Sequence, residues 1–173
     1  MTVRARDNLL LALWLAFIVC CSLWGRLAGP YLEGPQNRAR ALGLVAVAGL
    51  AGLAWAVVGL RRLPEGRRAA AGWALAGGAL ALGLLAWSRA NHIEAVHVVV
   101  FGVLGLLCWR WAGHFWLGQP RLWAALIFGA AIGAADEFLQ HLLPWRVGDW
   151  RDVFTNGLSS TIVCLLAWRA RPD

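Results

Sequence analysis

The chain has 173 residues, 60% of them hydrophobic and 14% charged, with 20 glycines and 12 tryptophans, and a mean hydropathy of +0.61. That profile excludes an ordinary water-soluble domain and fits a polytopic membrane protein. The formal charge of +7 comes from arginine alone; no basic tract with interleaved aromatics stands apart from the apolar runs, so nucleic acid is excluded as a partner and the charge is read as a topology signal.

A bilayer core takes about 20 apolar residues as helix, and six segments qualify: 9–28, 41–60, 70–88, 93–111, 122–141 and 152–168. The first, "MTVRARDNLLLALWLAFIVCCSLWG", has too long an apolar run for a signal peptide and no A-x-A site after it, so it reads as a span. "GPYLEGPQNRAR" and "RRLPEGRR" supply the breakers that bound the second and third spans. The fourth begins at "NHIEAVH". In the fifth, Gly129-x-x-x-Gly133 provides a slim surface for helix contact, which Ala130, Ala131, Ala134 and Ala135 are expected to extend. The sixth follows Pro144. The expected fold is therefore all-α, a polytopic transmembrane bundle of about six spans. Residues 1–89 hold three N-terminal helices and 90–173 the remaining three with a polar loop.

With six spans both termini share a side, and the 16 arginines divide 10 to 6 in favour of that side. The positive-inside rule makes both termini cytoplasmic. Cys20, Cys21, Cys108 and Cys164 fall inside apolar runs without metal-ligand or redox spacing and read as packing or lipid-facing residues.

Polar residues concentrate in "AADEFLQHLLPWRVGDWRDVFTNGLSS", residues 134–160. Helical spacing pairs Glu94 with His97, Asp136 with Gln140, and Glu137 with Gln140 or His141. A carboxylate inside the hydrocarbon costs about 2.5–3.5 kcal/mol, so Asp136 and Glu137 are expected to face protein or a polar cavity, with Arg146 as the nearest cation. Asp149 is expected to cap the sixth helix with Asp152 in its first turn, and Asp152, Asn156, Ser159 and Ser160 to form an inward stripe. Trp145 and Trp150 read as interface anchors, His141 as interfacial, and His92 and His114 as solvated. Glu94-x-x-His97 is a helical metal-ligand spacing, but a di-metal bundle would show it twice and it occurs once, so neither a metal nor any other cofactor is assigned. No serine carries a hydrolase motif.

The segment Asp136, Glu137, Gln140, Pro144, Arg146, Asp149, Asp152 and Asn156 resembles the signature of VanZ-like membrane proteins, DE-x2-Q-x3-P-x-R-x2-D-x2-D-x3-N. Glu94, His97, Phe101 and Gly102 resemble that family's second motif, with Val100 where some relatives have glutamate. The resemblance spans about residues 90–168. It implies an envelope-associated protein of a family named for resistance to glycopeptide antibiotics, which bind cell-wall precursors.

Three functional readings follow. In the first, a polar pocket near the outer face binds or helps move an anionic lipid or lipid-linked envelope precursor, with Arg146, Arg151 and the sixth helix N-terminus holding the anion. A second is a membrane-embedded enzyme using Glu94, His97, Asp136 and Glu137. The third is a structural subunit, with a membrane-protein partner, whose polar cluster locks helices together. The candidate site is Glu94, His97, Asp136, Glu137, Gln140, Arg146, Asp149, Asp152 and Asn156. Membrane lipids are the expected surroundings in every case.

Overall fold

The computed structural model describes residues 1–32, 35–89, 92–144 and 149–171, with the side chains of 25–32, 35–38, 40–42, 44, 45, 48, 53, 55 and 92–94 left out of the description. Six helices follow one another: α1 Val3–Leu32, α2 Pro35–Arg61, α3 Glu65–Trp87, α4 His92–Ala112, α5 Gly118–Leu142 and α6 Trp150–Arg169. Five of them contain one of the apolar segments whole, and α3 holds all of the third but its last residue, Ser88, which is the helix C-cap. α2 starts on Pro35, whose fixed φ suits a first helical position. α5 starts four residues before the apolar run, at Gly118, which has a φ of 60°.

Among the described residues, four helices are long and apolar enough to cross a membrane, over Val3–Trp24, Glu65–Trp87, Ala95–Ala112 and Gly118–Leu142. α6 has 20 residues, about 30 Å of helix, but gives one face to polar side chains.

α4 is the most apolar of the six helices, as suits a central one, and packs against all five others. Phe101, Leu104, Cys108 and Ala112 on it are 0–1% exposed. α6 packs most extensively on α4 and α5, and α3 closes its remaining side. Large apolar side chains such as Trp73, Leu80, Ile127 and Phe154 point outward, the arrangement expected of a surface solvated by lipid.

The helices alternate direction, which brings the N-terminus of α1 to the C-termini of α4 and α6. There Asp7, 4% exposed, accepts from Arg110 Nη2 at 2.6 Å and Nε at 3.1 Å and meets His114 Nε2 at 2.9 Å. The solvated reading of His114 is thus corrected: the turn after α4 folds its ring onto Asp7. Arg121 stacks 3.9 Å over Trp109 and donates to the Trp109 carbonyl at 3.1 Å. Arg67 reaches the Arg171 carbonyl.

The glycine step on α5 is a real contact. Gly129 and Gly133 are buried; a Cβ on Gly129 would collide with Ser160 Oγ, and one on Gly133 would lie 3.1 Å from Asn156 Cβ. The four alanines do not extend it. Ala130, Ala131, Ala134 and Ala135 are exposed, because the buried face follows Leu122, Ala125, Gly129, Gly133, Asp136, Glu137 and Gln140, and residues one or two positions away point to other sides of the helix. Cys108 and Cys164 are buried, Cys20 and Cys21 exposed.

Candidate functional site

The C-terminal end of α5 and the N-terminal end of α6 meet at the face opposite both termini. Seven of the buried polar residues gather there or just below: Asp136, Glu137, Gln140, Thr155, Asn156, Ser159 and Ser160, with Ser22 of α1 joining them. A carboxylate tolerates such a place only when neighbouring donors replace water. Ser22 Oγ donates to Asp136 Oδ1, and Gln140 Nε2 donates to Asp136 Oδ2 at 3.0 Å and to Glu137 Oε1 at 3.5 Å. Asn156 Nδ2 donates to Glu137 Oε1 at 3.3 Å, and the Asp149 amide approaches Glu137 Oε2 at 3.4 Å. One chain of hydrogen bonds therefore ties α1, α5 and α6.

His97, on the facing side of α4, completes this group. One ring nitrogen of His97 and one oxygen each of Asp136 and Glu137 lie within 4.8 Å of one another. His97 is half-buried, and its ring lies parallel to that of buried Phe101 one turn along, with centroids 6.3 Å apart.

α6 begins as expected: Asp149 is its N-cap, accepting from the Arg151 amide at 2.9 Å, and Asp152 lies in the first turn. Asn156, Ser159 and Ser160 form the inward stripe. Of the helical pairs, Asp136–Gln140 and Glu137–Gln140 form, whereas His141 is exposed. Trp150 is 79% exposed, as an interface anchor should be. Arg146 and Trp145 lie outside the described residues, as do His92 and Glu94 as side chains.

Asp152 does not face the carboxylates' donors. Its Oδ1 is 3.6 Å from Arg89 Nη1, between side chains 15–18% exposed, and the same Nη1 donates to Thr155 Oγ1 at 2.7 Å. Arg89 lies two residues past the end of α3 and carries no helical spacing to any residue of the motif, so reading along the sequence missed it. Its only signal is an arginine directly after an apolar run. Ser22, a hydroxyl in the middle of the first apolar run, was missed for the same reason.

Between α3 and α6 a groove of about 460 Å³ opens outward, lined by Leu85, Arg89, Val153, Phe154 and Leu158 with Arg151 and Thr155. Arg89 and Arg151 are the charged residues of this lining, and Arg89 Nε is buried without an acceptor among the described residues. The buried cluster and the groove thus lie on different sides of the first two turns of α6: Asn156 is hydrogen-bonded to Glu137 of α5 and Thr155 to Arg89 of α3.

These features define a multi-pass helical membrane protein whose buried polar groups are concentrated toward one end. Residues 67–171 match the VanZ/LLP1 family, and since that is more than half of the chain, the protein belongs to this family. The match begins within α3 and so takes in Arg89 as well as the α4–α6 motifs. No curated protein and no solved structure matches the chain.

Proposed function

We propose that this protein binds, or helps move, a membrane lipid or lipid-linked envelope precursor through an anionic phosphate seated in the α3–α6 groove. The observation that carries the reading is the pairing of a wall of Leu85, Val153, Phe154 and Leu158 with two arginines at one place. An acyl or polyprenyl chain would lie on the apolar wall while guanidinium donors hold the phosphate. Arg89 Nε is a donor without an acceptor among the described residues, and Asp152 and Thr155 fix the guanidinium's orientation. Arg89 joins, in this reading, the anion-binding role that the sequence gives to Arg146 and Arg151.

The arginine-rich end, carrying both termini, faces the cytoplasm on the positive-inside argument. The groove then opens toward the outer leaflet of a bacterial cytoplasmic membrane. A precursor of the cell wall at that place fits the envelope association implied by the sequence resemblance.

Native mass spectrometry of protein released from gentle detergent tests the proposal. Wild type is expected to carry a phosphate-bearing lipid, and Arg151→Ala and Arg89→Ala each to lower its occupancy at least about tenfold, the loss of a charge-assisted contact of about 1.5–3 kcal/mol. Arg151 is exposed, so its variant keeps the fold. Equal occupancy in wild type and both variants would overturn the reading.

A structural role is favoured by one observation, the hydrogen-bond chain from Ser22 through Asp136, Gln140 and Glu137 to Asn156. If that chain is the whole purpose, Asp136→Asn lowers thermal stability while lipid occupancy stays that of wild type.

A further inference from the structure

All four carboxylate oxygens of the polar cluster accept hydrogen bonds, but none of these bonds brings a positive charge. Asp136 and Glu137 are 6% and 4% exposed. Among the described residues, the hydrogen-bond donors facing them, Ser22 Oγ, Gln140 Nε2, Asn156 Nδ2 and the Asp149 amide, are all neutral. None of the ion pairs among the described residues reaches either carboxylate. Two neighbouring carboxylates in a poorly solvated place call for a positive charge.

Asn156 points to the same need independently. It is 0% exposed, its Nδ2 is on Glu137, and its Oδ1 has no partner among the described residues. A buried amide oxygen without a donor is uncommon and calls for an explanation. It lies on the same planar amide as the nitrogen touching Glu137, and a half-turn of the amide exchanges the two atoms.

We propose that His97, Asp136 and Glu137 bind a divalent transition-metal cation, with the Asn156 amide oxygen as a further ligand. One imidazole and two carboxylates suit zinc, manganese or ferrous iron. Bonds of about 2.0–2.2 Å hold ligand atoms roughly 3–4 Å apart, so the 4.8 Å span closes by about 1 Å when the cation enters. Gln140 and Ser22 donate to the carboxylates and act as the outer shell that fixes ligand orientation. The site draws on α4, α5 and α6, so metal would clamp the three helices of the core. This inference stands apart from the lipid groove, since it shares none of the residues that line it.

The test uses the full chain in detergent, stripped with a chelator and titrated with Co²⁺, read by visible absorption, and with Mn²⁺, read by electron paramagnetic resonance. Wild type is expected to take up about one cation per chain. Loss of outer-shell groups alone weakens metal binding about 10–100-fold, so His97→Gln should weaken it at least tenfold. Glu137→Gln, nearly isosteric, does the same and serves if the histidine variant fails to fold. Glu65→Gln, at a carboxylate 92% exposed at the start of α3, leaves binding unchanged. Substoichiometric uptake by wild type, or wild-type affinity in both His97→Gln and Glu137→Gln, overturns the proposal. Native mass spectrometry of the lipid reports separately on the groove.

Discussion

Gly105→Ala is expected to unfold the bundle far more readily than Gly102→Ala, although the two glycines lie three residues apart on α4. A methyl on Gly105 would meet the carbonyl oxygen of Ser160, with the Ser160 Cα at 2.9 Å and carbonyl carbon at 3.0 Å. Those are backbone atoms of α6, which move only if the helix moves. A methyl on Gly102 meets Val163 Cγ2 at 3.5 Å, an ordinary contact. Helix propensity favours alanine over glycine at both by about 1 kcal/mol, so Gly102→Ala should be neutral or slightly stabilising. Overpacking costs about 1–3 kcal/mol, occasionally more, and a clash with rigid backbone belongs at the upper end. The shift would also break the Cys164 Sγ hydrogen bond to the Gly105 carbonyl, 3.2 Å. Because α6 contributes to both the groove and the buried cluster, Gly105→Ala should lose bound lipid together with stability. Thermal unfolding in detergent with lipid occupancy measured in parallel checks this; equal melting of the two variants would contradict it.

Asp7→Ala has the second large effect, at the opposite end. Asp7 anchors the start of α1 to α4 through Arg110 and His114. Removing one partner of a fully buried ion pair costs about 3–5 kcal/mol; Arg110 is 33% exposed, so water screens the charge left behind and the loss falls below that range. Arg6 is only 3.7 Å from the same carboxylate but half exposed, and surface pairs contribute about 0–1 kcal/mol. The expected result is a destabilised Asp7→Ala beside an almost unchanged Arg6→Ala, read by resistance to denaturing detergent.

The six helices are legible in the sequence because an apolar run of about 20 residues leaves few alternatives in a membrane. The Asp136–Gln140 contact and the Asp149 cap are legible for a different reason: both are local, fixed by spacings of two to four residues. The composition of the site is less so. Ser22 meets Asp136 across 114 residues and Arg89 meets Thr155 across 66, and no periodicity carries such pairings. His114 follows the same logic, its partner Asp7 lying 107 residues away. The alanines beside Gly129 and Gly133 show the opposite error. Small residues were plentiful around the glycines, but the face was decided by Asp136, Glu137 and Gln140, which had to leave the lipid.

The central claim is that the α3–α6 groove selects a phosphate-bearing lipid. A photoactivatable amino acid at Leu158, which lines the groove, compared in intact membranes with one at Ile127, 67% exposed on α5, tests it most directly. Mass analysis of the crosslinked peptides should find one phosphate-bearing lipid enriched at Leu158 over the bulk lipid captured at Ile127, and that enrichment should vanish with Arg151→Ala. The same lipid profile at both positions would contradict the assignment.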